Sequence, residues 1–499
     1  MNRLARRSAS EAETTMDRRA VLRSIAAGAA AAAVMTACSG QAEPPATAVS
    51  LPKFRRSGDV DDSEAFTRAA AKGKPIHLPA GGGTGTDGRY RIGTLAPNLL
   101  SGTVVFGDGM SKTIIERSYA RDTAFVFHAD SGSSDLANNL QNIRLSDMTI
   151  EDDVEQHGFS QWAYLVMLNG VTGARIERVG FKGFRGDGLY IGSSTVKANE
   201  RHNRDVAVSH CHFDGVNANN RNAISILDVR GLSIEDCYFE NTTRKGGKGA
   251  EDPMDPATGP PMPGAIDLEP DSNSFAIIRD VTIRRNRFVG GGGFAVSVSL
   301  LPNSFLKTPQ SNILVADNII ETRHGGFSAS GFSDDAAITD TRAYQLMFSN
   351  NLVSKCQKPF IIQGIRGLTV TKNRFVDCDE MGELGYVAAN ADVSFTDNSF
   401  VRVGTKQGYA VWVRTIDRLE LTNNRFIDCG LIDGSFGIGV GFVAGHIRNV
   451  RFAGNDFKSP LHRTTEMVTI FRDANVSRST MTVRDNMVSD GISGSMPQS

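Results

Sequence analysis

Apolar residues in this chain alternate with polar ones over short stretches, and the same stretch keeps returning. From residue 145 onward it reads as an apolar–x–apolar pair, a polar pair often including Asn, then a large apolar residue. Examples are VTIRRNRF, ILVADNII, LTVTKNRF, VSFTDNSF, LELTNNRF and VRFAGNDF. Period-two alternation marks strands. The closing apolar residues form a series: Ile150, Phe181, Phe213, Phe239, Phe288, Ile320, Leu352, Phe375, Phe400, Phe426, Phe457 and Met487. Their spacings are 23 to 32 residues, apart from one of 49 between Phe239 and Phe288. Short strands at that interval predict a parallel β-solenoid, in which each coil buries its face against its neighbours. A second series lies two residues before the first: Asn286, Asn318, Asn350, Asn373, Asn398, Asn424 and Asn455, with Cys211 and Cys237 in that place in earlier coils. Asparagine tolerates left-handed backbone and suits a tight turn, and stacked asparagines bond along an axis. Asn-Gly hairpin signals are scarce, which tells against an antiparallel sandwich. The predicted fold is all-β, a single-stranded right-handed parallel β-helix.

An open solenoid end exposes strand edges and needs a cover. Residues 61–72 predict a short N-terminal capping helix, with Asp61 or Asp62 as N-cap and Phe66, Ala69 and Ala70 on one face. A strand and turn follow from Pro75 to Gly81. The segment GDVDDSEAFTRAAAKGKPIHLPAGGG…YRIGTL…GTVVFGDGMSKTIIE resembles the N-terminal opening of the pectate-lyase-like superfamily, which includes rhamnogalacturonase- and epimerase-related enzymes and phage tailspikes. Val60 and Ser63 replace the glycine and threonine usual in that opening. The resemblance covers residues 57–116 by motif and the rest by repeat type. It implies the fold and a carbohydrate-active class, and says little about substrate or reaction.

The first fifty residues have another character. Arg18-Arg19 precedes an alanine-rich apolar run from Ile25 to Val34, too short to span a bilayer stably. The pair resembles a twin-arginine export signal. Val34-Met35-Thr36-Ala37-Cys38 resembles the end of a lipoprotein signal, with Cys38 the lipidated first residue of the mature chain. The expected organisation is an export signal over 1–37, a tether over 38–52 and the β-helix over 53–499. The expected location is the periplasm or cell surface, with a lipid anchor as the only membrane contact; Ser39 points to the outer membrane.

The formal charge is −1, and losing residues 1–37 removes six arginines and three acids, leaving −4. That near-neutral balance gives no support for nucleic-acid binding, which normally needs a basic stripe. The other five cysteines, Cys211, Cys237, Cys356, Cys378 and Cys429, have no metal-type spacing and read as small core residues.

Solenoid interiors are apolar, so chemistry belongs on outward residues and inserted loops. Strands following Gly-rich turns align as GLYIG (188–192), AISILD (223–228), AIDLEPD (265–271) and AVSVS (295–299). Alternation turns Ile266 and Leu268 inward, so Asp267 and Glu269 face outward together. Ser225 and Ser297 are their expected neighbours in adjacent coils, and Tyr190 shares the row two coils earlier. Glycoside hydrolysis needs two carboxyl groups, and two residues along a strand are about 6.6 Å apart, towards the inverting separation. Asp267 is the expected acid and Glu269 the base, interchangeably, with Asp271 and Asp228 in reserve. Acids are depleted in strands, yet three fall within five residues here. The 49-residue coil inserts Asn241–Pro263 just before this strand, with Arg244, Lys245 and Lys248 beside Glu251, Asp252 and Asp255: a candidate cleft wall. Arg221, within Asn219-Asn220-Arg221-Asn222, Trp412 and Arg414 complete the candidate substrate-binding set.

The expected partner is an extracellular or capsular polysaccharide, cut by a glycosidase with no metal or cofactor. A polysaccharide lyase or uronate epimerase is the alternative, with Tyr190, Arg221 and Lys248 in service and calcium on Asp267 and Glu269. A non-catalytic glycan-binding surface lipoprotein is the third reading. A homotrimer, as in tailspikes, stays open.

Overall fold

The computed structural model describes residues 47–494 apart from 122, 193–199, 247–251, 256–261, 332–341, 432–436, 444, 472–473 and 490. Cys38 and Lys248 lie outside the described residues. The folded unit begins at Thr47. Val49–Ser50 pairs with Ile76–His77 and Leu51 is fully buried, so the last residues expected to be tether already belong to the first coil.

The chain winds as a right-handed parallel β-helix. Twelve strands form one sheet, running in order from Phe125–Asp130 to Glu466–Ile470 with every neighbour parallel. The other strands form a 30-stranded sheet, among them the repeating pairs that carry the sequence signature. The landmark residues stack as expected: Phe181 on Phe213 at 4.5 Å between ring centroids, Phe213 on Phe239 at 4.8 Å, and Phe239 on Phe288 at 4.6 Å. Farther along, Phe400, Phe426 and Phe457 repeat the stack at 4.8 and 4.5 Å. Two landmarks are corrected by one residue: Val353, not Leu352, pairs with Ile320 and Phe375, and Val488, not Met487, pairs with Phe457.

The asparagine series is a continuous internal ladder. Asn398 Oδ1 accepts from the backbone N–H and the side-chain amide of Asn373, both at 3.0 Å, while its own amide donates to Val370 O at 2.9 Å. The same pattern links Asn286, Asn318, Asn351, Asn373, Asn398, Asn424, Asn455 and Asn486. Asn351, not Asn350, is the member from its coil; Asn350 takes the left-handed turn conformation instead. Generally the left-handed residue is the one before the ladder, such as Arg285, Asp317, Lys372 and Asp397. The ladder position serves the buried bonds rather than the turn. Cys237 enters it by donating its N–H to Asn286 Oδ1 at 2.9 Å.

The N-terminal end is covered by the helix Ser63–Ala70, which buries Ala65, Phe66 and Ala69 and sets Phe66 against Phe127 at 5.0 Å. Ala70 is only half-buried. Asp62 holds the N-cap position without a side-chain cap bond; its carboxylate instead takes Arg55 and the N–H groups of Thr84 and Arg91. Asp61 accepts from the Ser63 N–H at 2.9 Å and from Thr94. The two acids thus tie the cap to the first coils.

Candidate active site

The strand Gly264–Leu268 is the fifth of the twelve strands of that sheet, counted from Phe125–Asp130. Ile266 and Leu268 are fully buried in the core, and the outward row is Tyr190, Ser225, Asp267, Ser297 and Ser328 in register. Glu269 continues the strand, its N–H donating to Ile226 O at 3.0 Å.

Arg221 organises the group. It donates to Asp187 at 3.0 Å, to Ser225 Oγ at 2.9 Å and to Glu269 at 3.2 Å. Asn222 closes the floor: its amide nitrogen donates to the carbonyls of Gly264 and Arg221, and its oxygen accepts from Ser225 Oγ at 2.9 Å. Tyr164 stacks on Tyr190 at 4.7 Å and extends the row sideways.

Exposure separates the acids. Asp267 is 1 % exposed and one of its oxygens has no hydrogen-bond partner among the described residues. The Glu269 side chain is 41 % exposed and Asp271 is half-buried. Burial first, and then the neighbouring Glu269 charge, pushes the Asp267 carboxyl well above the usual carboxylate range. A buried carboxylate without donors cannot stay ionised. Burial and the Glu269 charge therefore favour the neutral form of Asp267. Asp271 is also raised, by burial and then by Glu269. Asp187 is raised by burial, against the pull of Arg221. Burial also raises the Tyr164 and Tyr190 hydroxyls, which stay protonated.

Several sequence expectations change. Asp267 and Glu269 do share one face, but Asp267 is sealed, because Arg221, Asn222 and small neighbours close the floor over it. Asp228 turns into the corner, where it bonds His202 Nδ1 at 3.0 Å and the Ile277 N–H at 2.9 Å, apart from the Arg221 group. Burial raises it to about 6. Arg244 is structural: fully buried over the Phe159 ring at 4.3 Å, it donates to the carbonyls of Asp252 and Asp255 and fastens the inserted loop. Asn219 and Asn220 staple the same loop, to Pro253 O at 2.6 Å and the Thr243 N–H at 2.7 Å, so neither is free for a ligand. Trp412 and Arg414 stand five coils away on the same sheet.

The sequence reading missed Asp187 and Tyr164. Asp187 aligns with Asn222 and Gly264, one residue ahead of the aligned segment, so extending that alignment by one position finds it. Tyr164 gives no comparable signal, because its coil has no Gly-rich turn. No group of three or more metal-ligating side chains gathers among the described residues.

With this geometry in hand, similarity to known proteins can be placed. The chain superposes on the pre-mature bacteriophage phi29 gene product 12 with TM-score 0.60 and 14 % identity, covering 90 % of this chain and 56 % of that one. It superposes on a double mutant of the tailspike protein of E. coli bacteriophage HK620 with TM-score 0.50 and 14 % identity, over 90 % and 77 %. What these likenesses show is the parallel β-helix fold. No protein-family profile matches it. A relative by sequence, the uncharacterized protein YclG of Bacillus subtilis (strain 168), is 21 % identical over 324 residues. That alignment takes in 59 % of this chain and 52 % of YclG, so the β-helix spans about half the length of YclG and of gene product 12.

Proposed function

We propose that this protein is a glycoside hydrolase of an extracellular or capsular polysaccharide, with Glu269 and Asp271 as the carboxyl groups that meet the sugar. The observation that carries this is the contrast among three neighbouring acids: Asp267 is sealed, while Glu269 and Asp271 are both partly exposed. Hydrolysis needs one neutral carboxyl to protonate the leaving oxygen and one carboxylate to activate water or attack carbon. Asp271, raised by burial and by its neighbour's charge, supplies the proton. Glu269, held at 3.2 Å by Arg221, supplies the base or nucleophile. Asp267 is a positioning residue beneath Glu269, and Tyr190 offers a ring face to the sugar.

Electrostatics favours this over a lyase or epimerase. Those reactions need a cation for the substrate carboxylate, and Arg221, the cation of the group, is already shared between Asp187 and Glu269. Around Arg221 stand Asp187, Asp267, Glu269 and Asp271, whose ionised members neutralise its charge and leave a group better suited to a neutral sugar than to a polyuronate. Calcium on Asp267 and Glu269 would have to displace the proton that burial favours on Asp267.

The proposed setting is outside the cytoplasm, after twin-arginine-type export and lipidation at Cys38. The deciding experiment is digestion of a panel of neutral and acidic polysaccharides by the mature chain. New reducing ends without ultraviolet absorbance of an unsaturated product support hydrolysis. The unsaturated product selects the lyase, and binding without any product selects a glycan-binding surface protein.

A further inference from the structure

The acids occupy one stretch of a longer row, and we infer that the same glycan strand is gripped again at an aromatic platform around Trp412. This rests on the glycan reading above but not on the hydrolytic chemistry. Parallel register carries the row from Asp267 through Ser297, Ser328, Ile361 and Glu383 to Trp412. Five coil steps place the platform about 24 Å from the acids. That is the reach of several consecutive sugar rings.

The platform is built rather than incidental. Trp412 is half-buried, with Tyr386 edge-on at 6.4 Å and Tyr409 at 5.8 Å. Tyr386 is 51 % exposed and carries the Arg414 guanidinium 5.1 Å from its ring centre. In the next coil, a Cβ on Gly441 would lie 2.9 Å from the Tyr409 ring, so that glycine leaves the slot in which Tyr409 rests. The Trp412 indole N–H is itself buried and has no acceptor among the described residues, so the polar edge of the platform is the exposed Tyr386 with Arg414 beside it. Aromatic rings with one polar handle suit a ligand that is apolar on one face and hydroxylated at its edge.

The path between the two ends is polar apart from Ile361. Ser328 donates to Ser297 at 3.0 Å, Ser299 and Ser330 pair at 3.2 Å, and Lys358 pairs with Glu380 and Glu383. Hydroxyl rows of this kind serve a hydroxylated chain better than an apolar protein surface. At the other end Trp162, 69 % exposed, stands two residues before Tyr164. The chain's two tryptophans therefore lie on strands or loops of one sheet, on either side of the acids.

The test uses the full mature chain carrying Glu269→Gln, so that nothing is turned over, in native gels cast with galactomannan, dextran or polygalacturonate. At least one neutral polymer retards it, and Trp412→Ala weakens that retardation several-fold to about tenfold, with Trp412→Phe between the two. In a Trp162→Phe background the same polymer changes the Trp412 fluorescence. Equal retardation with and without Trp412, or no retardation by any polymer, overturns the inference. Retardation lost in Trp412→Ala while the unsubstituted chain cleaves nothing leaves the platform standing and removes the hydrolase reading alone.

Discussion

Two arrangements of acid with base decide behaviour at the residue scale. In the first, Arg221 spans Asp187 and Glu269 beside the buried Asp267. Glu269→Gln should reduce turnover about 100-fold or more, the usual cost of losing a general base, read as reducing ends released. Asp271 acts as acid only while protonated, so activity should fall as pH rises through its raised pKa. Asp271→Asn should abolish that alkaline limb at a low residual rate, which a pH–rate profile measures. Arg221→Ala strands Asp187 without its countercharge and should cost about 3–5 kcal/mol in chemical unfolding. In the second arrangement Asp228 faces His202 in the corner. Its folded pKa, about 6, stands above the ordinary 3.8. A raised carboxyl contributes stability fully below its unfolded pKa and loses it as pH rises through the folded one. The raised His202 pKa acts in the same direction. The thermal midpoint should fall between pH 4 and about 6, less steeply in Asp228→Asn; calorimetry across that range checks it.

Among elements, the ladder and the inserted loop do different work. Each ladder asparagine bonds to a carbonyl one coil back and to an N–H in the same direction, so its loss leaves polar groups buried in two coils. Asn398→Ala should cost about 1–3 kcal/mol, and Phe400→Ala, which empties the adjacent ring stack, about 3–5 kcal/mol; both are read by denaturant midpoints. The position of these elements was legible from pattern alone, because a period of two with a fixed closing residue admits one register per coil. It failed by one residue at Ser349-Asn350-Asn351-Leu352-Val353, where two asparagines and two aliphatics are adjacent and sequence offers no basis for choosing. Backbone decides there: Asn350 takes the left-handed turn and Asn351 falls into the ladder. The inserted loop was visible as an over-long coil, but not the buried Arg244 that ties it down.

For the whole molecule, the stacked register turns distant segments into neighbours. Residues from 164, 187, 221 and 267–271 converge only because each coil returns to the same lateral position. The same geometry offers a polymer an axial track. No helix among the described residues is long and apolar enough to cross a membrane. If Cys38 is the attachment point, Cys38→Ser should move the protein from the membrane to the soluble fraction of the envelope with its activity per molecule unchanged; fractionation followed by assay measures both.

The sequence by itself determined the solenoid, the capping helix, the outward face of Asp267 and Glu269, and their serine neighbours. All of these follow from alternation and repeat length, which are local and periodic. Only the tertiary structure decided which acid meets solvent, which arginine pairs and which fastens a loop, and that Trp412 lies in line with the acids. Burial and pairing depend on what neighbouring coils and loops place above a side chain, and periodicity does not carry that information.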